Sequence, residues 1–197
     1  MKKFTLIICS LLGCILSLAA QTKFAGIVVN QQFGNLVAEL NSKYSLLEPD
    51  YKTCQAKGFD TNVLHRYRID FLGDEDAELY AFPNLDNKDI VDRLEIRPSY
   101  LCNTKLKDAE CERSIKEYAA YLKNIYEGKY GKAVEEITAD EYKKITHHKW
   151  DLGDVILDIV LIEPKTNTFN VLNIPMRVNI EYQVKKDRIK TITTDDI

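Results

Sequence analysis

The chain has 197 residues, 45% of them hydrophobic, and a net charge of −3 at pH 7. This length suits one domain with a substantial core, or two small similar halves. The acidic balance argues against a nucleic-acid-binding protein, because affinity for a phosphate backbone depends on an excess of positive charge.

The N-terminus has the pattern of a secretory signal peptide. Two lysines precede an apolar run from Phe4 to Leu18, and Ala19 and Ala20 supply the small residues of a cleavage site. The run is too short for a comfortable membrane span, and no other segment approaches that length. We therefore expect residues 1–20 to be removed and residues 21–197 to be exported, either to the periplasm or out of the cell.

The same segment has a second interpretation. Leu11-Leu12-Gly13-Cys14 resembles a bacterial lipobox, in which Cys14 would carry a lipid and become the mature N-terminus. The apolar run continues past Cys14 to Leu18, whereas the mature end of a lipoprotein is normally polar. Lipid anchoring at Cys14 is therefore the alternative to cleavage after Ala20.

The mature chain begins with a strand and a helix. The run from Phe24 to Val29 has the composition of a short strand. Apolar residues then recur at helical spacing, which predicts a helix from Gln31 to Tyr44 with Asn30 as its N-cap. Residues 50–62 show no clear period and are expected to form a loop.

Three strands follow the first helix. Alternating apolar and polar residues predict strands at Arg66–Phe71, Glu78–Phe82 and Ile90–Arg97, with a turn at Gly73–Asp76. Their short connections favour antiparallel pairing.

The second half begins with the longest helical pattern of the chain, from Cys111 to Tyr130. Asp108 stands where an N-cap belongs, and Gly128 and Gly131 stand where the helix must end. The sequence from Thr138 to Glu141 has the form of a capping box and predicts a short second helix, Ala139 to Ile145.

Three further strands are expected, at Lys149–Leu152, Val155–Ile162 and Arg177–Val184. In the last one, Arg177, Asn179, Glu181 and Gln183 alternate with apolar residues, which predicts one face in water. The same order therefore occurs twice: a helix, then a three-strand meander, in halves of about 21–100 and 101–197. We expect a single α+β domain of two layers, with the helices packed on one face of an antiparallel meander sheet.

Two short stretches resemble small secreted proteins that are common in the Bacteroidetes. They are the opening Lys23-Phe24-Ala25-Gly26-Ile27 and the helix end Lys129-Tyr130-Gly131-Lys132, the latter followed by Trp150 and an isoleucine-rich strand. The repeated helix and meander is also similar in outline to β-lactamase-inhibitor-protein-like and PepSY-like modules. Neither resemblance implies functional residues.

Cysteines suggest a covalent link at the junction of the halves. Cys102 and Cys111 flank a short polar loop, and disulfides persist in exported proteins. A Cys102–Cys111 bond would join the first half to the start of the long helix. Cys54 could instead pair with either of them, since three cysteines in the mature chain leave one over.

Motifs for metal binding or nucleophilic catalysis are lacking. His147 and His148 are adjacent, so in a strand they point to opposite faces and cannot chelate one ion together. There is no His-Glu-x-x-His, Cys-x-x-Cys, Gly-x-Ser-x-Gly or Ser-x-x-Lys sequence. We expect no metal or cofactor.

The sequence therefore favours an exported, non-catalytic protein that binds another envelope or secreted protein, or a ligand, in the manner of an inhibitor module. Tyr121 lies off the apolar stripe of its helix and is a candidate interface residue. The alternatives are an enzyme whose site is assembled from distant residues, such as Cys54 with His65, and a structural envelope protein anchored at Cys14.

Overall fold

A long antiparallel sheet dominates the computed structural model, which describes residues 23–48, 65–99, 109–165 and 175–185, and the backbone of residues 101–102. The described residues form two helices and eleven strands, so the fold is α+β. In chain order the elements are β1 (Lys23–Phe24), β2 (Ile27–Val28), α1 (Phe33–Lys43), β3 (Ser45–Leu46), β4 (His65–Phe71), β5 (Asp74–Pro83), β6 (Val91–Arg97), β7 (Leu101–Cys102), α2 (Ala109–Tyr130), β8 (Val134–Ala139), β9 (Lys143–Asp151), β10 (Val155–Pro164) and β11 (Met176–Val184).

The large sheet has the strand order β3-β4-β5-β6-β11-β10-β9-β8, and β7 also pairs with β11. Every neighbouring pair is antiparallel. The last strands of the two meanders, β6 and β11, therefore meet at the centre of the sheet. β1 and β2 form a separate two-stranded hairpin.

One face of the sheet and the buried faces of both helices form a single core. Apolar residues two apart along each strand point to this face, because side chains alternate along a strand. The helices contribute residues at helical spacing, namely Phe33, Leu36 and Leu40 from α1 and Ile115, Ala119, Leu122 and Tyr126 from α2. The β1–β2 hairpin joins this layer, since the ring of Phe24 lies 5.7 Å from that of Tyr182 on β11.

Both long helices were predicted correctly in position, but the predicted N-cap of the first is wrong. α1 begins at Phe33 and its N-cap is Gln32, without a side-chain capping hydrogen bond. The backbone N–H of Phe33 instead donates to the carbonyl of Asp89, at 2.8 Å. Contact with the neighbouring loop thus replaces capping by Asn30.

The predicted turn at Gly73–Asp76 is shorter in the structure. Leu72 and Gly73 both have positive φ, 55° and 86°, which makes a two-residue hairpin loop. β5 therefore starts at Asp74, opposite Phe71. The buried Asp74 carboxylate accepts hydrogen bonds of 2.7 Å from both the backbone N–H and the hydroxyl of Ser99, which fixes the start of this strand.

The predicted short helix from Ala139 to Ile145 is wrong, because these residues belong to the β8–β9 hairpin. Oδ1 of Asp140 accepts hydrogen bonds from the backbone N–H groups of Tyr142 and Lys143, both at 2.7 Å. An aspartate that binds nearby backbone N–H groups serves a turn as well as a helix start. The apparent capping box is therefore a turn, and β9 begins six residues before the predicted strand at Lys149.

Among the described residues, α1 is followed by five strands, β3–β7, and α2 by four, β8–β11, where three were predicted for each. Two of the additional strands, β3 and β8, lie at the two outer edges of the sheet, and the short β7 pairs with β11. No helix among the described residues is long and apolar enough to cross a membrane. The predicted loop at 50–62, the predicted cap Asp108, the signal segment and Cys14 lie outside the described residues.

Candidate binding surface

The sheet face opposite the helices carries polar, charged and aromatic side chains. We call it the outer face, and define its central row as the six residues that lie opposite one another on successive strands. The strand registers place in this row Arg66, Tyr80, Glu95, Glu181, Asp158 and Lys149. The row crosses β4, β5, β6, β11, β10 and β9, so it runs across all of the large sheet except its two edge strands and the short β7.

At one end of the central row, aromatic and charged groups form a bonded cluster. Glu78 accepts a hydrogen bond from Arg66 Nε at 3.0 Å and another from the Tyr80 hydroxyl at 2.7 Å. The Arg97 guanidinium lies 3.9 Å from the centre of the Tyr80 ring. Burial alone would raise the pKa of Glu78, but the hydrogen bonds from Arg66 and Tyr80 bring it below the usual value. Glu78 is therefore held as a carboxylate.

Glu95 is a buried carboxylate with several charged partners. Its Oε1 lies 2.6 Å from Arg97 Nε and accepts a hydrogen bond of 3.1 Å from Asn179 Nδ2. Its Oε2 lies 3.7 Å from Arg93 Nε, and the Arg93 guanidinium stacks 4.3 Å above the Phe82 ring. A buried charge with this many donors is stabilised in its ionised form.

Glu181 and Asp158 are the next residues of the row, and their pKa values are raised, in contrast to that of Glu78. Burial, and then the charge of Glu95, raise the pKa of Glu181, which accepts a hydrogen bond of 2.7 Å from Gln183. Burial also raises the pKa of Asp158, although its contact with His147 acts in the opposite direction. Asp158 Oδ2 lies 2.8 Å from His147 Nδ1. Three carboxyl groups on three adjacent strands therefore meet at the centre of this face.

Several polar atoms of the outer face lack a hydrogen-bond partner among the described residues. They are Arg93 Nε, Asn179 Oδ1 and Asp158 Oδ1. Arg177 lies close by, and burial together with the Arg97 guanidinium lowers its pKa. The unsatisfied donor and acceptors are themselves buried within the face.

The predicted water-exposed face of β11 belongs to this surface, and its exposure was overestimated. Asn179 is only 3% exposed, while Arg177, Glu181 and Gln183 are half-buried. The alternation itself is correct, but these side chains are at least half-buried, and Asn179 donates a hydrogen bond to Glu95 on β6. The pairing of β6 with β11 could not be read from the sequence, so the central row was missed.

The two adjacent histidines point to opposite faces, as predicted. His147 lies on the outer face with Asp158. His148 lies on the helix side, where its Nδ1 is 3.6 Å from Glu135 Oε2 and burial lowers its pKa. The described residues contain no group of three or more His, Cys, Asp or Glu side chains that could hold a metal ion.

His65, a candidate for an assembled catalytic site, packs among core aromatics at the start of β4. Its ring lies 5.7 Å from that of Phe33 and 6.4 Å from that of Tyr67, and burial lowers its pKa. Cys54 lies outside the described residues, so its pairing with His65 stays a prediction.

The two cysteines predicted to pair lie on neighbouring elements, Cys102 on β7 and Cys111 on α2. β7, which contains Cys102, pairs with β11 through Met176 and lies against α2. Cys111 lies in the first turn of α2. The bond between Cys102 and Cys111 stays a prediction.

A second surface feature lies on α2. A cavity of about 350 Å³ is bordered by Ser114, Ile115, Glu117, Tyr118 and Tyr121. Tyr121 is 53% exposed and its ring stacks on that of Tyr118 at 6.4 Å. All of these lining residues belong to α2, so among the described residues a single helix borders the cavity.

Comparison of the chain with known proteins finds no matching family model, no matching curated protein and no matching solved structure.

Proposed function

We propose that the mature chain is an exported, non-catalytic module that binds a protein partner on the outer face of its sheet. One observation carries the proposal: the partly exposed guanidinium groups of Arg66, Arg93 and Arg97 lie on one face of the sheet, and Arg66 and Arg97 both lie over the Tyr80 ring. The unsatisfied polar atoms of Arg93, Asn179 and Asp158 on the same face are themselves buried, so a partner would not contact them directly.

The residue types of this face support a protein partner. Arginine is enriched at the energetic centres of protein interfaces, and Arg66, Arg93 and Arg97 lie here with partly exposed side chains, while the Tyr80 ring is buried beneath Arg97. Their side chains are held in place by stacking and ion pairs, so little conformational entropy is lost when a partner binds.

We also propose that the chain consists of two related halves. Each half has a helix followed by a meander of four antiparallel strands, β3–β6 and β8–β11, and the last strands of the two meanders pair at the centre of the sheet. The outer face is therefore built across both halves, and its central row depends on their junction. Export, with removal of residues 1–20, is part of the same proposal and rests on the N-terminal sequence.

A crosslinking experiment tests the binding surface. A photoreactive amino acid is placed at Arg68, whose side chain is 59% exposed on the outer face. The matched control position is Asn124, which is exposed on α2. In cells that produce the protein, we expect one defined partner to be crosslinked from position 68 and not from position 124.

A substitution of Arg177 is the second part of the crosslinking experiment. Arg177→Ala should reduce the crosslinked product from position 68, whereas Arg113→Ala, on the exposed side of α2, should not. Equal products from positions 68 and 124, or no product from position 68, would contradict binding at the outer face.

A further inference from the structure

The outermost strand β8 is a long edge that the described part of the chain leaves unpaired on one side. All six residues of Val134–Ala139 are exposed, and their register with β9 is continuous from Val134↔Lys149 to Ala139↔Lys144. The opposite edge strand, β3, has only two residues. Exposed edge strands commonly carry proline, charged side chains or a bulge that hinders pairing with another chain; β8 has no proline and no bulge, and its only charged residues are Glu135 and Glu136.

The direction of the backbone groups of β8 follows from the hairpin. Asp140 N–H donates to the Lys143 carbonyl at 3.0 Å, so this pair is hydrogen-bonded. Hydrogen-bonded and non-hydrogen-bonded pairs alternate along an antiparallel ladder. The N–H and C=O groups of Thr138 and Glu136 therefore point towards β9, and those of Ala139, Ile137 and Glu135 point outwards.

The acidic side chains of β8 are engaged within the chain. Lys149 Nζ donates to Glu136 Oε2 at 2.5 Å, and His148 Nδ1 lies 3.6 Å from Glu135 Oε2. The apolar side chains are free of such contacts, with Ile137 54% and Val134 69% exposed. The edge therefore combines outward backbone groups with apolar surface at its centre.

We propose that β8 pairs with β8 of a second copy of this chain, antiparallel and about a two-fold axis at Ile137. In this register the outward N–H of Ile137 donates to the C=O of its counterpart and the outward C=O accepts from the counterpart's N–H, and the two Ile137 side chains lie side by side. Glu135 then faces Ala139, and Glu136 faces Thr138. A two-fold axis at Glu135 or Glu136 would instead place identical carboxylates opposite each other, which is destabilising.

The helices leave room for this pairing. α2 lies against β10 and β11, two to three strands from the edge. Strands are spaced by about 4.8 Å, so the two copies of α2 would be separated by roughly 20 Å or more, well beyond the packing distance of helices. The two sheets would become one, and their outer faces would form a single continuous surface.

Sedimentation velocity of the purified exported chain over a range of concentrations tests the proposal. We expect a reversible dimer. Ile137→Lys puts two positive charges opposite each other, and Ile137→Pro removes an outward N–H without breaking the β8–β9 ladder, so each should weaken dimerisation by about tenfold or more. Leu85→Lys is the control, because Leu85 is exposed to a similar extent, 61%, but lies in a loop far from the edge in sequence.

Disulfide crosslinking tests the register. Residues directly opposite in a hydrogen-bonded pair have Cα atoms about 5.5 Å apart, within reach of a disulfide. Ile137→Cys should therefore form a covalent dimer on mild oxidation, while Ala139→Cys, on the same face two residues away, should not exceed the background of the unsubstituted chain. Equal crosslinking at both positions would overturn the register. A chain that stays monomeric at every concentration, or one that binds an unrelated extended peptide at β8 but not itself, would overturn the proposal.

Discussion

Glu95 and Glu181 lie directly opposite each other on β6 and β11, at the centre of the sheet. Glu95 is paired with Arg97, whereas the pKa of Glu181 is raised by burial and then by Glu95 itself. Replacement by glutamine removes the repulsion, so Glu181→Gln should raise the free energy of unfolding at pH 7 by about 0.5–1 kcal/mol. Urea denaturation measures this change, and Glu75→Gln, at an exposed position on β5, is the control.

The pH dependence of stability gives a sharper test of the same pair. The folded pKa of Glu181 lies above its usual value of 4.5, so the folded state binds the proton more tightly than the unfolded state. The stabilising contribution of protonated Glu181 is fully present below the unfolded pKa and is lost as the pH rises through the folded pKa. Glu181→Gln should remove this decline, and identical pH profiles for the two proteins would contradict the assignment.

His147 and Asp158 form the second contact to be tested. His147 Nδ1 lies 2.8 Å from a carboxylate that is 1% exposed, so His147→Ala leaves a buried acceptor without this donor. We expect a loss of about 1–3 kcal/mol in the free energy of unfolding. A double-mutant cycle with Asp158→Ala isolates the pair, and a coupling energy close to zero would show that the contact does not stabilise the fold.

The two glycines at the end of α2 should respond in opposite directions to alanine. Gly131 has φ of 84°, the left-handed conformation that ends many helices, so Gly131→Ala should cost about 1 kcal/mol. Gly128 lies within the helix with open space around its Cα, so Gly128→Ala should stabilise by about 0.5–1 kcal/mol. Thermal unfolding followed by circular dichroism measures both. A gain in stability from Gly131→Ala would show that the left-handed conformation is not required.

The helix end also connects to the sheet through Trp150. Its indole Nε1 donates a 2.7 Å hydrogen bond to the carbonyl of Gly131, and its ring lies 5.9 Å from that of Tyr126. The sequence predicted Trp150 in a strand and Gly131 at the end of a helix, but the hydrogen bond between them joins positions that only the folded chain brings together.

The sequence predicted best those elements that depend on the spacing of apolar residues within one segment. The helical spacing of apolar residues located α1 and α2, and alternation located β4, β6, β10 and β11 to within a few residues, while β8 and the first part of β9 were missed. The sequence failed where two structures share one signal, as at Asp140, whose carboxylate binds backbone N–H groups in a turn. It also failed where the answer depends on pairing between distant strands, as for Glu95 with Glu181, because no residue near either one specifies that partner.

We predict a disulfide between Cys102 on β7 and Cys111 on α2. We expect peptide mapping without reduction to identify a Cys102–Cys111 bond, because β7 lies against the helix that contains Cys111. Closure of so short a loop contributes on the order of 2–3 kcal/mol at most, so Cys102→Ser should lower the unfolding midpoint. Cys54→Ser is the control and should leave the midpoint unchanged. A mapped bond between Cys54 and Cys111 would contradict the prediction.

Processing of the N-terminus decides between a released and a lipid-anchored protein. Cleavage after Ala20 gives a mature chain that begins at Gln21, whereas lipidation gives one that begins at a modified Cys14. The two products differ in mass and in their N-terminal peptide, so mass spectrometry of the exported protein separates them. We expect Gln21, because the apolar run continues beyond Cys14 and a signal-peptide core ends at small residues. Cys14→Ala should then leave the mature mass unchanged, while Ala20→Glu should slow cleavage. Retention of the full-length precursor by Cys14→Ala would establish lipidation instead.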